Sequence, residues 1–104
     1  MNTYNIFITE PAEHDLREIA KYIALELKEP ATAQKWIAKI SSAILELEKS
    51  PFRYALVKDG RLASQGIRML LVEKYIVFYV IDETNSSVTV IRILYGKREW
   101  NRIL

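Results

Sequence analysis

Tyr75-Ile76-Val77-Phe78-Tyr79-Val80-Ile81 is the stretch that decides the fold of this chain. Its residues are all apolar, β-branched or aromatic, and turn-prone residues bound the run on both sides: Glu73-Lys74 before it and Asp82 to Ser87 after it. A short continuous apolar run between turn signals is typical of a strand that is buried on both faces. We therefore expect a central strand that other elements cover from both sides.

The segments next to this run predict two more strands, each joined to it by a short connection. Ile67 to Val72 comes before the Glu73-Lys74 turn, and Val88 to Tyr95 follows the polar turn cluster. Short connections favour antiparallel neighbours, so the three strands form an antiparallel meander. A β-prone run near the N-terminus, Tyr4 to Thr9, predicts a further strand at an edge of the sheet.

Two amphipathic helices separate the first strand from the meander. The first begins near Thr9-Glu10-Pro11 and is broken at Lys28-Glu29-Pro30, and the second ends at Ser50-Pro51, because proline fits the first turn of a helix but not its interior. A very short turn between them requires an antiparallel hairpin, whose apolar stripes pack on one face of the sheet. These stripes are Leu16, Ile19, Ala20, Ile23 and Leu27 in the first helix, and Ala33, Trp36, Ile37, Ile40, Ile44 and Leu47 in the second. The predicted fold class is α+β.

The composition favours a single domain, residues 1–104, without a metal or cofactor. Half of the residues are hydrophobic and 27% are charged, which is typical of one globular core. The chain has no cysteine and one histidine, His14, so thiolate metal sites, histidine-rich zinc sites and disulfide scaffolds are excluded. No run approaches the length of a membrane span and no signal peptide is visible, so we expect a cytoplasmic protein without a membrane partner.

Positive charge is concentrated in the second half of the chain. Residues 1–52 carry six basic and eight acidic residues, whereas residues 53–104 carry nine basic and five acidic ones. Arg68, Arg92, Lys97 and Arg98 fall on or just after two strands, so they can converge on one side of the sheet and meet an anionic partner. The alternative is that each arginine pairs with a helix carboxylate or reaches solvent.

Strand alternation predicts the face on which Arg92 lies. Val88, Val90 and Leu94 share its alternation class, so we expect Arg92 on the same face of the sheet as these residues.

The residue types disfavour a self-contained nuclease. Metal-free cleavage of RNA needs cations on the phosphate, a base for the 2′-hydroxyl and an acid for the leaving oxygen. His14 is predicted on the outer face of the first helix, and Trp36, Tyr75 and Tyr79 are interpreted as core residues. Tyrosine, lysine or arginine would have to transfer the protons from unfavourable pKa values.

Segments spread over nearly the whole chain carry a family resemblance. Three of them are Gly66 to Leu70, Tyr75 to Asp82, and Val90 to Trp100, which contains Tyr95-Gly96-Lys97-Arg98-Glu99-Trp100; the beginning, Ile8-Thr9-Glu10-Pro11-Ala12, fits as well. Together they resemble the RelE/ParE superfamily of bacterial type II toxins. The resemblance implies a small toxin that is encoded beside an antitoxin and neutralised by it.

A few individual positions indicate which branch of the superfamily the chain resembles more. Arg98 matches an arginine that RelE-type nucleases use on the scissile phosphate. Ile76 stands where those nucleases carry a second active-site arginine, and Leu104 ends the chain where they place a late catalytic tyrosine. Their lysine-rich segment is represented here only by Lys58 and Arg61. These departures make the chain more similar to the ParE branch.

Three functions follow from the resemblance. The first is a ParE-like toxin that inhibits DNA gyrase by protein–protein contact. The second is a RelE-like, ribosome-dependent mRNA interferase that uses Arg98 with Arg68 and Arg92 on the phosphate. The third is an inactive module that only binds an antitoxin.

In each case the surest partner is the antitoxin, in a toxin–antitoxin hetero-oligomer. We expect it in the groove between the helix pair and the sheet. The residues expected to bind the antitoxin or the target are Tyr22, Leu25, Tyr54, Arg68, Arg92, Lys97, Arg98 and Trp100.

Overall fold

A computed structural model describes residues 3–104, apart from the side chain of Asn101. The strands are β1 (Asn5–Ile8), β2 (Arg68–Val72), β3 (Tyr75–Asp82) and β4 (Ser87–Tyr95). The α-helices are α1 (Glu10–Lys21), α2 (Pro30–Glu46), α3 (Gly60–Ser64) and α4 (Trp100–Ile103). A π-helical segment (Tyr22–Glu26) continues α1, and a 3₁₀ turn (Pro51–Arg53) follows α2.

The four strands form one sheet in the order β1-β4-β3-β2. The last three are an antiparallel meander, and β1 lies parallel to β4 at the edge. The predicted central strand is confirmed, because Tyr75 to Tyr79 are all buried. The predicted edge position of the first strand is confirmed as well.

A bulge in β4 changes the alternation on which one prediction relied. Phe78 pairs with Arg92 but Tyr79 pairs with Val90, so Ile91 is an extra residue on β4. Val90 therefore belongs to the core under the helices, whereas Leu94 belongs to the core on the opposite face. The expectation that Arg92 shares one face with Val88, Val90 and Leu94 was wrong, because an inserted residue reverses the side chains that follow it.

The helix hairpin covers one face of the sheet, as predicted. Thr9 caps α1 by accepting a hydrogen bond from the Ala12 N–H, and its hydroxyl donates to the Ile91 carbonyl oxygen at 3.0 Å. The cap therefore ties the start of α1 to the bulge. Buried residues of this layer are Ile19, Ile23, Ala33, Ile40, Ile44 and Leu47 from the helical side and Leu70, Val77, Tyr79, Val88, Val90 and Ile93 from the sheet.

The opposite face is covered by segments without a clear sequence period. Asp59 caps α3 through the Leu62 N–H at 3.2 Å, where only a loop with an irregular turn was expected. In α4, the Trp100 ring lies 5.2 Å from the Phe78 ring, centroid to centroid. The second core comprises Val57, Leu62, Ile67, Ile76, Phe78 and Leu94. The sheet is thus the middle layer, and the site lies at one end of it.

Candidate functional site

A groove of about 540 Å³ opens between α1, the π segment and the ends of β3 and β4. Its lining is mainly apolar and aromatic, with charged groups at the rim. The apolar and aromatic residues are Ile19, Tyr22, Leu27, Trp36, Tyr75, Ile93, Leu94 and Tyr95, and the charged ones are Asp15, Glu18, Lys74 and Arg98. Such a lining suits apolar side chains of a partner, with a few polar groups to orient them.

Three aromatic residues in edge-to-face contact build the floor of the groove. The Trp36 and Tyr75 rings lie 6.1 Å apart, and the Tyr75 and Tyr95 rings 5.9 Å apart, both edge to face. This arrangement is favourable for aromatic pairs and holds the rings in place. Burial raises the pKa of the Tyr75 phenol. Tyr22 on the wall is 52% exposed and available to a partner.

The cationic end of the rim is held by a close backbone approach at Gly96. The Gly96 N–H donates to the Lys74 carbonyl oxygen at 2.8 Å, and a Cβ on Gly96 would lie 3.3 Å from that oxygen. The next turn closes from the Arg98 N–H to the Tyr95 carbonyl at 3.0 Å. Within residues 3–104, no carboxylate lies within salt-bridge distance of Arg98 or Lys74. Both charges are available at the mouth of the groove.

Arg92 is held by the protein itself. Its guanidinium donates to both carboxylate oxygens of Asp15, at 2.7 and 2.8 Å, and the Ile93 N–H donates to the same carboxylate at 2.9 Å. Asp15 thereby accepts a hydrogen bond from the β4 backbone at a position that β1, which ends at Ile8, does not reach. The hydrogen bond to Asp15 raises the pKa of Arg92. The alternative interpretation, an arginine paired with a helix carboxylate, is confirmed for Arg92.

Arg68 and Tyr54 lie at the other end of the sheet. Arg68 pairs in register with Tyr79, four residues along β3 from the Tyr75 of the groove, a span of about 13 Å. Its guanidinium donates to the Tyr54 carbonyl oxygen at 2.6 Å and lies over the Phe52 ring. The expected convergence of Arg68 with Arg98 on one side of the sheet was therefore wrong.

The remaining predicted binding residues also lie in different parts of the molecule. Lys97 is exposed beside Arg98, whereas Trp100 packs into the core on the opposite face. Leu25 is 69% exposed but does not line the groove. Of the expected set, the groove thus brings together Tyr22 and Arg98.

Sequence reasoning missed several groove residues. Leu27 and Trp36 were interpreted only as stripe residues, and Tyr75 only as core. Their signal was positional: Leu27 ends the first stripe and Trp36 lies near the start of the second, so both fall at the hairpin turn.

Of the positions that the resemblance to RelE links to RNA cleavage, Arg98 lines the groove, whereas Arg68, Arg92, Ile76 and Leu104 do not. Ile76 is buried in the core of the opposite face, and Leu104 packs partly buried against that core. His14 lies on the exposed side of α1, beside Glu18 at 3.9 Å. In the described part of the chain, no group of three or more acidic or imidazole side chains is arranged to hold a metal ion.

Comparison with known families decides which family this fold represents. A sequence model of the ParE toxin of type II toxin–antitoxin systems (parDE) matches residues 6–100. The chain belongs to the ParE toxin family. This ParE-family chain is a type II toxin, and its resemblance to the RelE/ParE superfamily is confirmed on the ParE side. No curated protein matches it in sequence.

Solved structures share the fold at low sequence identity. The chromosomal ParDE system of Pseudomonas aeruginosa gives a TM-score of 0.71 at 19% identity, covering 91% of this chain and 98% of the other. The RelBE2 toxin–antitoxin complex of Mycobacterium tuberculosis gives 0.66 at 18%, covering 91% and 93%. A mutant of the Escherichia coli toxin RelE in the free state gives 0.66 at 15%, covering 98% and 99%. At these low sequence identities, the structural similarity shows a shared fold and no more.

No helix in residues 3–104 has the length and apolar character needed to cross a bilayer.

Proposed function

We propose that this ParE-family toxin inhibits DNA gyrase through protein–protein contact, and that a cognate antitoxin neutralises it by placing an apolar segment in the groove. One observation carries the proposal: an aromatic groove with a free Arg98 at its rim, in a molecule whose two strand arginines, Arg68 and Arg92, are bound by other groups of the protein. The groove offers apolar and aromatic contact area with a charge at its rim, and of its two carboxylates, Asp15 is already held by Arg92.

The groove supports an antitoxin segment with a particular chemistry. Tyr22, Leu27 and Tyr95 offer apolar and aromatic surface of the kind that dominates protein interfaces. Arg98 and Lys74 at one end have no carboxylate partner within residues 3–104. They favour an acidic residue in the incoming segment, so we expect an amphipathic peptide that carries a carboxylate near its end over β4.

The positions of the strand arginines support gyrase over mRNA as the target. A phosphate in the scissile position would need several cations around one point, together with proton donors and acceptors. Arg92 is occupied by Asp15, and Arg68 lies at the far end of the sheet from Arg98. Inhibition by surface contact requires no such convergence.

The target is tested with purified toxin in two parallel reactions. Gyrase is assayed for supercoiling and for trapped cleaved DNA, and programmed ribosomes are assayed for mRNA cleavage by toeprinting. We expect inhibition of gyrase and intact mRNA. Unaffected gyrase at a large excess of toxin contradicts the proposal.

A second candidate, the ribosome-dependent interferase, is favoured by a single observation, the unpaired charge of Arg98. If it is correct, mRNA is cleaved on the ribosome and Arg98→Gln abolishes cleavage, because a phosphate contact is lost. The third candidate, an inactive antitoxin-binding module, requires that induced expression without the antitoxin leaves growth unaffected.

Antitoxin binding is tested with a matched pair of variants in the π segment. Tyr22→Ala removes a ring from the groove wall and is expected to weaken binding by about 2 kcal/mol, about thirtyfold. Leu25→Ala removes an exposed apolar side chain outside the groove and is expected to leave affinity unchanged. Calorimetry with the antitoxin encoded by the adjacent reading frame measures both. Equal losses in the two variants contradict the placement of the segment in the groove.

A further inference from the structure

A second surface lies at the opposite end of β3 from the groove. It consists of Phe52, Arg53, Tyr54 and Arg68, and we call it the arginine–aromatic platform. The Arg68 guanidinium carbon lies 5.1 Å from the centre of the Phe52 ring, and that of Arg53 lies 5.7 Å from the centre of the Tyr54 ring. Tyr4 contacts the Phe52 ring edge to face at 6.4 Å. Two guanidinium groups thus lie within cation–π distance of two neighbouring rings.

Backbone contacts fix the platform in place. Arg68 donates from Nη1 to the Tyr54 carbonyl oxygen, and the buried Tyr79 hydroxyl donates to the Pro51 carbonyl oxygen at 2.7 Å. Both bonds connect the segment after α2 to neighbouring strands of the sheet. The rings and guanidinium groups are therefore preorganised, which lowers the entropy cost of binding a ligand.

The charges of the platform are not neutralised by the protein. Arg17, Arg92 and Arg102 each pair with a carboxylate, but none within the described residues lies within salt-bridge distance of Arg53 or Arg68. Arg68 is only partly exposed on its strand. A partly desolvated guanidinium without an acid favours an anion from outside the chain.

A shallow cavity of about 190 Å³ extends the platform. Lys49, Ser50, Arg53 and Tyr54 line it together with one acid, Glu46, which is not in salt-bridge contact with Arg53. The cavity therefore adds Lys49 as a third cation beside the two stacked arginines.

We infer that this platform binds single-stranded nucleic acid. Phe52 is 47% exposed, so a base can stack on the layer that its ring forms with the Arg68 guanidinium, while Arg53 and Lys49 contact the flanking phosphates. Arg68 uses Nη1 for the Tyr54 carbonyl oxygen, but a guanidinium has five N–H donors, so others can reach a phosphate oxygen. An acidic peptide would use the cations but gain nothing specific from the ring, so the combination favours a nucleic acid strand. The inference does not depend on gyrase being the target of the toxin.

Fluorescence anisotropy of the full-length toxin with a labelled short oligo(dT) strand tests the inference. Phe52→Leu keeps an apolar side chain but removes the ring, and is expected to weaken binding about tenfold. Arg53→Gln is expected to reduce the slope of log K against log salt by about 0.7, the effect of one lost phosphate contact on a single strand. Arg17→Gln makes the same change of charge on the exposed side of α1 and is expected to leave binding unchanged. Thermal melts of each variant verify that it is folded.

Three further measurements sharpen the result. Oligo(U) should bind about as well as oligo(dT), because the platform reads ring faces and phosphates and not the 2′-hydroxyl. A duplex should bind more weakly, since its bases are not available for stacking. The groove variant Tyr22→Ala should retain full binding.

The inference is overturned if the wild-type toxin does not bind the strand, if a folded Phe52→Leu binds as the wild type does, or if Arg17→Gln lowers the salt slope equally. Polyglutamate that competes as well as the oligonucleotide overturns it too and points to an acidic protein segment. Because these reactions contain no gyrase and no antitoxin, their failure is distinguishable from failure of the proposed function.

Discussion

Arg92 and Arg98 lie close together in sequence at the end of the last strand, yet they have opposite roles. Arg92 is bound by both oxygens of Asp15, and the side chains of this pair are only 27% and 9% exposed. Arg98 lies at the rim of the groove without a carboxylate partner among the described residues. The comparison teaches that burial and partner, and not residue type, decide whether an arginine maintains the fold or is available to a ligand.

The largest effect is expected when the buried carboxylate of Asp15 is removed. Asp15→Asn leaves the Arg92 charge partly buried without a counter-ion and is expected to lower the free energy of unfolding by about 3 kcal/mol. Urea denaturation measures the loss. Glu13→Gln, which removes the acid of the exposed pair with Arg17 on the same helix, is expected to cost no more than about 0.5 kcal/mol. Similar losses in the two variants would show that Asp15 is not a structural anchor.

A smaller effect is expected at the buried Tyr79. Tyr79→Phe leaves the Pro51 carbonyl oxygen without its donor and is expected to cost about 2 kcal/mol. Burial raises the pKa of the Tyr79 phenol to about 12, so between about pH 10 and 12 the unfolded chain loses this proton before the folded chain does. Stability should therefore fall with rising pH across this window.

Because Tyr75 also has a raised pKa, the decline should be shallower in Tyr79→Phe, not absent. Denaturation at a series of alkaline pH values measures it, with the same variant at neutral pH as reference. A decline of equal slope in both proteins would assign the pH dependence to other groups.

The smallest effect is expected at a surface ion pair between the layers. Lys39 on α2 donates to Glu73 in the β2–β3 turn, and this hydrogen bond lowers the pKa of Glu73. A lowered pKa in the folded state stabilises the fold above the ordinary carboxyl pKa and not at low pH. Lys39→Met should lower stability at neutral pH by much less than Asp15→Asn.

The same difference should disappear as the pH falls through the pKa of Glu73. Denaturation of both proteins at neutral and at acidic pH measures it. A difference that persists in acid would mean that Lys39 contributes through packing and not through its charge.

Much of the fold was predictable because local signals agree with one another. The apolar run of β3, the turn at Glu73-Lys74 and the helix stop before Pro30 each act through near neighbours in sequence. The bulge at Ile91 was not predictable, because no residue in β4 marks it and the pairing across β3 decides the register. α3 was missed because its five residues are too few to show a period.

The candidate site was predictable only in part. Tyr22 and Arg98 lie in the groove as expected, but Leu25 points outside it and Tyr54 lies beyond its reach. The position of Arg68 depends on its register with Tyr79, which strand alternation alone does not specify.

By itself, the sequence determined which segments are helices and strands, which faces are apolar, and the resemblance to the RelE/ParE toxins, since these depend on short-range patterns of residue type. Only the tertiary structure decided which arginine is neutralised, which is stacked on a ring and which remains free. The energy of a charge depends on the groups within a few ångströms of it, and for Arg92 the deciding carboxylate, Asp15, lies in a distant part of the chain.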